Sequence, residues 1–135
     1  MQRSSFLGTT TLLALAALML AGCGVGSGGP ESKISETTDT YLRSLASGDT
    51  TKACAQLTAE AKSKLDASCT AAMKTIATRV GQDKLDEAAD KGASISVDGS
   101  TGSATITGLN DARIGLVDSG SKWLIESGYG LDDNS

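Results

Sequence analysis

The sequence predicts an α+β domain in which N-terminal helices pack on an antiparallel sheet of about four strands. Apolar and small residues recur at helical spacing from Ile34 to about Ala89, and from Ala93 onward they alternate with polar residues. Short turns rich in Gly, Asp, Asn and Ser separate the alternating segments, which is typical of a meander. Helices followed by a meander favour a layout with the helices on one face of the sheet.

The first predicted helix starts near Ile34 and ends at Gly48, a natural helix stop. One stripe of this helix carries the residues expected to face inward, which are Ile34, Thr37, Thr38, Tyr41, Leu42, Leu45 and Ala46.

Helix-capping residues mark the starts of the next helices. Asp49 begins a short helix that runs to about Leu57, and Thr58 caps another turn through Leu65. The following helix opens at Asp66 or Ser68, and a last small one runs from Asp83 to Gly92. The inward face of the helix that ends at Gly81 is predicted to carry Cys69, Ala72, Met73, Ile76, Ala77 and Val80.

The strands are predicted from alternation and from the turns between them. The turns fall at residues 98–102, 110–111 and 118–120. The apolar residues of the four strands are Ala93, Ile95 and Val97, then Ala104 and Ile106, then Ile114, Leu116 and Val117, and finally Trp123 and Ile125.

The N-terminus carries the features of a bacterial export signal. Residues 12–20 form an uncharged apolar run, and Arg3 supplies positive charge before it. The run is shorter than the roughly 20 apolar residues of a spanning helix, so it fits the h-region of a signal peptide. The sequence then reads LAGC up to Cys23, which resembles the lipobox of bacterial lipoproteins. In that family the cysteine thiol receives a diacylglyceryl group and the signal is cut just before it.

These features predict a signal peptide over residues 1–22 and lipid attachment at Cys23, with the mature chain on the extracytoplasmic face of the cell membrane. An ordinary signal peptide with a chance cysteine and a retained apolar anchor are the alternatives. Residues 23–32 then form the lipidated cysteine and a Gly/Ser-rich tether, residues 33–128 a single domain, and residues 129–135 a polar tail.

The chain has three cysteines, an odd number for an exported protein. Assigning Cys23 to lipid leaves Cys54 and Cys69 as an even pair in an oxidising compartment, where a disulfide is expected. Two free thiols or a metal pair are the competing interpretations. A zinc site would lack ligands, because the chain has no histidine and no second cysteine pair.

Composition argues against several kinds of chemistry. The chain carries 12 Lys+Arg against 16 Asp+Glu, a net charge of −4, which gives no indication of nucleic-acid binding. The lack of histidine removes the commonest general base and metal ligand, so no cofactor or metal is predicted. Asp98, Asp111 and Asp118 stand in turns, where aspartates usually bond their own backbone, so no catalytic residue is predicted. Asp132 and Asp133 lie in the polar tail and not in an ordered calcium loop.

Two stretches carry a resemblance to a known family. YLRSLASGD at residues 41–49, followed by ACAQL at 53–57, resembles the opening of small envelope proteins of the nuclear-transport-factor-2-like superfamily. VDSGSKWLI at residues 117–125 is similar to their final strand, in which a polar hairpin leads into a buried tryptophan. The resemblance covers about residues 34–127 and is strongest for actinobacterial-type lipoproteins. The resemblance implies a curved antiparallel sheet that wraps round a helix, and the sheet and helix together form a cone that can hold a pocket.

Members of that superfamily include enzymes, binding modules and structural domains, so the fold does not give the function. Tyr41, Leu45, Ile95 and Trp123 would line a pocket in the cone, although Tyr41 and Trp123 also suit an ordinary core. We expect a noncatalytic envelope module that binds a partner protein or another component of the envelope. The alternative is a carrier or sensor of a small apolar ligand, and an isomerase or dehydratase is the least favoured class.

Overall fold

A computed structural model describes residues 29–131, so the predicted signal peptide and Cys23 lie outside the described residues. The described chain is α+β, with helices followed by a four-stranded antiparallel sheet. The elements are α1 (Pro30–Ser47), α2 (Thr50–Cys54), α3 (Ala59–Ser63), α4 (Cys69–Val80), α5 (Gln82–Lys91), β1 (Ala93–Asp98), β2 (Thr101–Ile106), β3 (Ala112–Asp118) and β4 (Trp123–Ser127). A 3₁₀ turn, Thr107–Leu109, links β2 to β3.

Helix α1 is the central helix of the fold and contacts β1, β2 and β4 as well as α2, α4 and α5. It begins at Pro30, so the last three residues assigned to the tether by sequence are helical. Proline suits this first position because its missing N–H would have no intrahelical partner there. The helix ends at Gly48, whose left-handed backbone (φ 82°) lets its N–H bond the carbonyl of Leu45.

Three of the other helices start at the caps that the sequence indicates. The side chains of Asp49, Thr58 and Ser68 accept hydrogen bonds from the backbone N–H groups three residues on, at 3.0 to 3.3 Å. Both α2 and α3 are shorter than predicted. Helix α2 ends early because the chain leaves the helical path at Leu57 to pair with β4.

The sheet is a meander with the strand order β1-β2-β3-β4. Asp98 pairs with Thr101 around a two-residue turn in which Gly99 has φ 68°. The predicted alternation is present in all four strands. On β2, β3 and β4 the inward residues are buried, whereas on β1 they are only half-buried.

The two edges of the sheet differ. At the β4 edge, Ile125 donates its N–H to the carbonyl of Gln56 at 2.7 Å and accepts from the N–H of Thr58 at 2.9 Å. Leu57 thereby forms a parallel bridge with Ile125. At the β1 edge, residues 93–98 make no backbone hydrogen bond to any part of residues 29–131 other than β2.

The packed chain continues past residue 128, where the sequence places the start of a polar tail. Tyr129 is half-buried and Leu131 is buried. Gly128 makes this turn with φ 72°, and a methyl group on it would overlap the carbonyl oxygen of Arg113. Only glycine therefore lets the chain pass this close to β3.

Candidate functional site

Tyr41 is at the centre of the core and is fully buried. Its hydroxyl donates to the carbonyl oxygen of Tyr129 and lies 3.5 Å from the Sδ of Met73. Burial raises the pKa of Tyr41 above its ordinary value, the neighbouring Tyr129 raises it further, and Arg79 lowers it in part. Because the hydroxyl already has a protein partner, Tyr41 helps to fix the segment that follows β4, and its own hydroxyl is not free for a ligand.

Arg79 supplies a second contact to the same segment, since its guanidinium donates to the carbonyl oxygen of Gly130. Sequence reasoning missed both contacts. They join residues far apart in the chain, and the only sign of packing after residue 128 is given by Tyr129 and Leu131, which stand just before a run of polar residues.

Trp123 is only 3% exposed, as expected for an inward position on the last strand. Its ring lies over Gly102 together with the side chain of Ile34, and a methyl group at Gly102 would come within 2.5 Å of Ile34 Cδ1. The Thr37 hydroxyl also donates to the Trp123 carbonyl at 2.9 Å. Trp123 thus fills the space between the start of α1 and the sheet.

Leu45 and Ile95 are placed apart from this cluster. Leu45 is in the last turns of α1, at the opposite end of the helix from Ile34. Ile95 is half-buried on the edge strand, opposite Ala104. Leu45 and Trp123 line two different surface hollows, so the structure does not place them in a common pocket.

The hollow beside Leu45 is an open groove of about 640 Å³, which we call the α4 groove. It lies where the end of α1 meets α2, α4 and the start of α5, and its floor includes Leu45 and Ala77. Polar groups surround that floor, among them Lys74 and Thr78. The full lining is Leu45, Ala46, Ser47, Gly48, Thr50, Lys74, Ala77, Thr78, Gly81 and Gln82.

Lys74 and Thr78 were not singled out from the sequence. They are four residues apart on α4 and so share one helix face, but this spacing also describes an ordinary solvated face. What distinguishes them is the neighbouring end of α1, which only the tertiary fold supplies.

Cys54 and Cys69 lie at disulfide distance, with S–S 2.12 Å and Cα atoms 6.0 Å apart. They join the end of α2 to the start of α4. Cys54 stands two residues before the segment 56–58, which pairs with β4. The crosslink therefore holds one wall of the α4 groove and the cover of the β4 edge.

The carboxylates of the sheet turns are exposed, and Asp118 accepts a hydrogen bond from the backbone N–H of Gly120 at 2.8 Å. Within the described residues, no three acidic, cysteine or histidine side chains converge on a point that could hold a metal ion. None of the helices between residues 29 and 131 has the length and apolar character needed to cross a membrane.

Comparison of the chain with protein-family models, with curated proteins and with solved structures finds no match.

Proposed function

We propose that this chain is an extracytoplasmic lipoprotein, held on the cell membrane by a diacylglyceryl group on Cys23, whose domain is a noncatalytic interaction module of the nuclear-transport-factor-2-like kind. The apolar run followed by LAGC supports the anchor. The position of Cys54 beside Cys69 also supports it, because pairing these two leaves Cys23 as the odd cysteine.

The single observation that carries the choice of an interaction module is that the space predicted to be a cone-shaped pocket is filled by packed side chains. Tyr41 is fully buried with its hydroxyl bonded, and Trp123 is buried over Gly102. A carrier of a small apolar ligand would instead need a largely enclosed, mostly apolar pocket at these side chains. The α4 groove opens to the surface and has a polar rim, which suits part of a protein surface.

The position of the groove fits a partner in the envelope. Helix α1 has 18 residues, so it is about 27 Å long at 1.5 Å per residue. The tether joins it at Pro30, and the groove lies at the other end, beside Leu45. A molecule anchored through Cys23 can therefore present the α4 groove away from the lipid surface.

The anchor is tested by mass spectrometry of the N-terminus purified from cells. We expect a diacylglyceryl cysteine at position 23 with residues 1–22 missing. A Cys23→Ser chain should lose the lipid and leave the membrane fraction. A mature N-terminus at another residue, or membrane retention that Cys23→Ser does not alter, would contradict the lipoprotein assignment.

The module is tested with a photo-crosslinking amino acid at Thr78 on intact cells. The matched control carries the same group at Ser100, an exposed turn residue outside the α4 groove. We expect a discrete adduct with one envelope protein from position 78 and not from position 100, and we expect Lys74→Glu to weaken it. Copurification of a stoichiometric apolar ligand, with no adduct at position 78, would favour the carrier.

A further inference from the structure

The outer edge of β1, which we call the β1 edge, carries backbone groups that bond to no other part of the described chain. The opposite edge is covered, because residues 56–58 bond to Ile125. At the β1 edge, the backbone of residues 93–98 bonds within residues 29–131 only to β2. These bonds include one from a side chain of β2, since the Thr101 hydroxyl donates to the Asp98 carbonyl. An unpaired edge is a template for another strand.

The register shows which groups face outward. In a two-residue hairpin the residues that flank the turn form a hydrogen-bonded pair, here Asp98 and Thr101. Hydrogen-bonded and non-hydrogen-bonded pairs then alternate along the ladder. The main-chain N–H and C=O groups of Ala93, Ile95 and Val97 therefore point away from β2.

The β1 edge lacks the devices that usually prevent strand addition. Natural edge strands carry lysine, proline or a bulge. β1 reads ASISVD, without proline, lysine or arginine, and its pairing with β2 is regular throughout. Its single charge, on Asp98, is at the last position.

We propose that a second copy of this chain pairs with the β1 edge in antiparallel orientation, joining two four-stranded sheets. The register that uses all three outward residues places Ile95 opposite Ile95 of the second copy and Ala93 opposite Val97 of the second copy. Opposite residues in this register share a sheet face, so the half-buried apolar side chains lie together and the exposed serines lie together.

Charge complementarity favours this occupant. In the same register Asp98 stands opposite Gly92 of the second copy, beside Lys91 of that copy. The two-fold symmetry repeats this contact at the other end of the paired strands. Each end then brings the Asp98 carboxylate near the Lys91 ammonium group of the other copy, which within its own chain lies 2.9 Å from the exposed carboxylate of Glu87, and the centre is uncharged. Pairing at this edge depends neither on the lipid anchor nor on the α4 groove.

Sedimentation of the mature chain, residues 23–135 with Cys23→Ser, tests the proposal in solution. We expect a monomer–dimer equilibrium. Ser94→Lys with Ser96→Lys should raise the dissociation constant roughly tenfold or more, because these positions face each other across the interface. Ser119→Lys with Ser121→Lys adds the same charge at exposed positions of the turn between β3 and β4 and should leave the constant unchanged. A chain that stays monomeric at millimolar concentration, or a dimer that both double variants leave intact, overturns the proposal.

Disulfide trapping of full-length chains in membranes tests the register without relying on affinity. Residues 94 and 96 of the two copies form a non-hydrogen-bonded pair with Cα atoms about 4.5 Å apart, within disulfide reach. Chains with Ser94→Cys coexpressed with chains with Ser96→Cys should give a crosslinked dimer. Ser100→Cys coexpressed with Ser121→Cys should not give a crosslinked dimer.

A dimer seen by sedimentation without the crosslink between positions 94 and 96 would place the contact elsewhere, and capture of a different protein at position 94 would identify a foreign strand. Either result rejects the second copy at this edge.

Discussion

On the β4 side of the sheet, Trp123 and Ile125 are buried and the backbone of residues 56–58 bonds to Ile125, whereas on the β1 side Ile95 is half-buried and its strand pairs only with β2. The two edge strands have similar lengths, and in both the burial of successive residues alternates over at least the first three positions. The difference comes from what the rest of the chain places beside them. The segments that lie beside a strand therefore help to decide how deeply its inward residues are buried.

The segment that covers the β4 side, residues 56–58, is held in place by further contacts. Cys54 precedes the covering segment by two residues and lies at disulfide distance from Cys69. On the other flank, Tyr41 and Arg79 bond the backbone of Tyr129 and Gly130, just after β4 ends. Stability should therefore be concentrated on the β4 side.

The largest effect is expected for Trp123→Ala. Truncating a buried aromatic of this size costs about 3–5 kcal/mol of unfolding free energy. A domain of this size has only about 5–15 kcal/mol in total. The variant should be partly unfolded or strongly destabilised in urea titration. Because Trp123 is the only tryptophan, the wild-type emission should be blue-shifted and poorly quenched. Red-shifted, freely quenched emission would mean that the β4 side is not packed as described.

The next effect is expected for the paired change Cys54→Ala and Cys69→Ala. Removing a crosslink that closes a sequence separation of 15 residues should cost about 2–4 kcal/mol. Amide hydrogen exchange should quicken at Thr58 and Ile125, where the cover is bonded, and change little at the β1–β2 pairs. Peptide mapping without reductant should recover the two cysteines linked, and recovery of both as alkylated thiols would count against the bond.

The fold class was within reach of the sequence because it depends on local patterns. Helix starts at Thr58 and Ser68, the stop at Gly48 and the inward position of Trp123 all follow from capping chemistry or alternation over a few residues. The early end of α2 does not. It depends on the bridge between Leu57 and Ile125, which joins segments far apart in the chain.

The candidate site was predicted less well, for the same physical reason. A cone lined by Tyr41, Leu45, Ile95 and Trp123 requires four side chains from three elements to point at one space. The sequence gives the inward face of each element but not its distance from the others. Leu45 and Trp123 were correctly expected to be buried, yet they line separate hollows.

A smaller effect is expected for Ile95→Ala, which compares the two sides directly. Ile125→Ala deletes the same atoms from a fully buried site on β4 and should cost about 2–5 kcal/mol. Ile95 is half-buried, so its truncation should cost roughly half as much. Both are measured by urea unfolding at a concentration where the chain is monomeric. Equal losses would show that the β1 side is as well packed as the β4 side.

The smallest effect at neutral pH is expected for Tyr41→Phe, which removes one hydrogen bond from the β4 side. The loss should be about 0.5–1.5 kcal/mol, the usual net contribution of such a bond. The same change should alter how stability depends on pH. Burial raises the pKa of Tyr41 above its ordinary value of 10.0 because a buried tyrosinate would lose its hydration.

A raised pKa in the folded state means that the folded chain keeps a proton that the unfolded chain releases. The stability from this group is fully present below about pH 10 and falls as pH rises toward the folded-state value, by up to about 1.4 kcal/mol per pH unit.

Lysines also titrate in this range, so the informative quantity is the difference between wild type and Tyr41→Phe in urea midpoints from pH 9 to 11. The variant should be less stable at pH 9, and the gap should narrow as pH rises. Tyr129→Phe keeps the buried hydroxyl of Tyr41 and serves as the control: burial, the larger cause, still raises the pKa of Tyr41, so most of the wild-type slope is expected. A gap that stays constant through pH 11 would mean that water reaches the Tyr41 hydroxyl, and that this side of the sheet opens more readily than its contacts indicate.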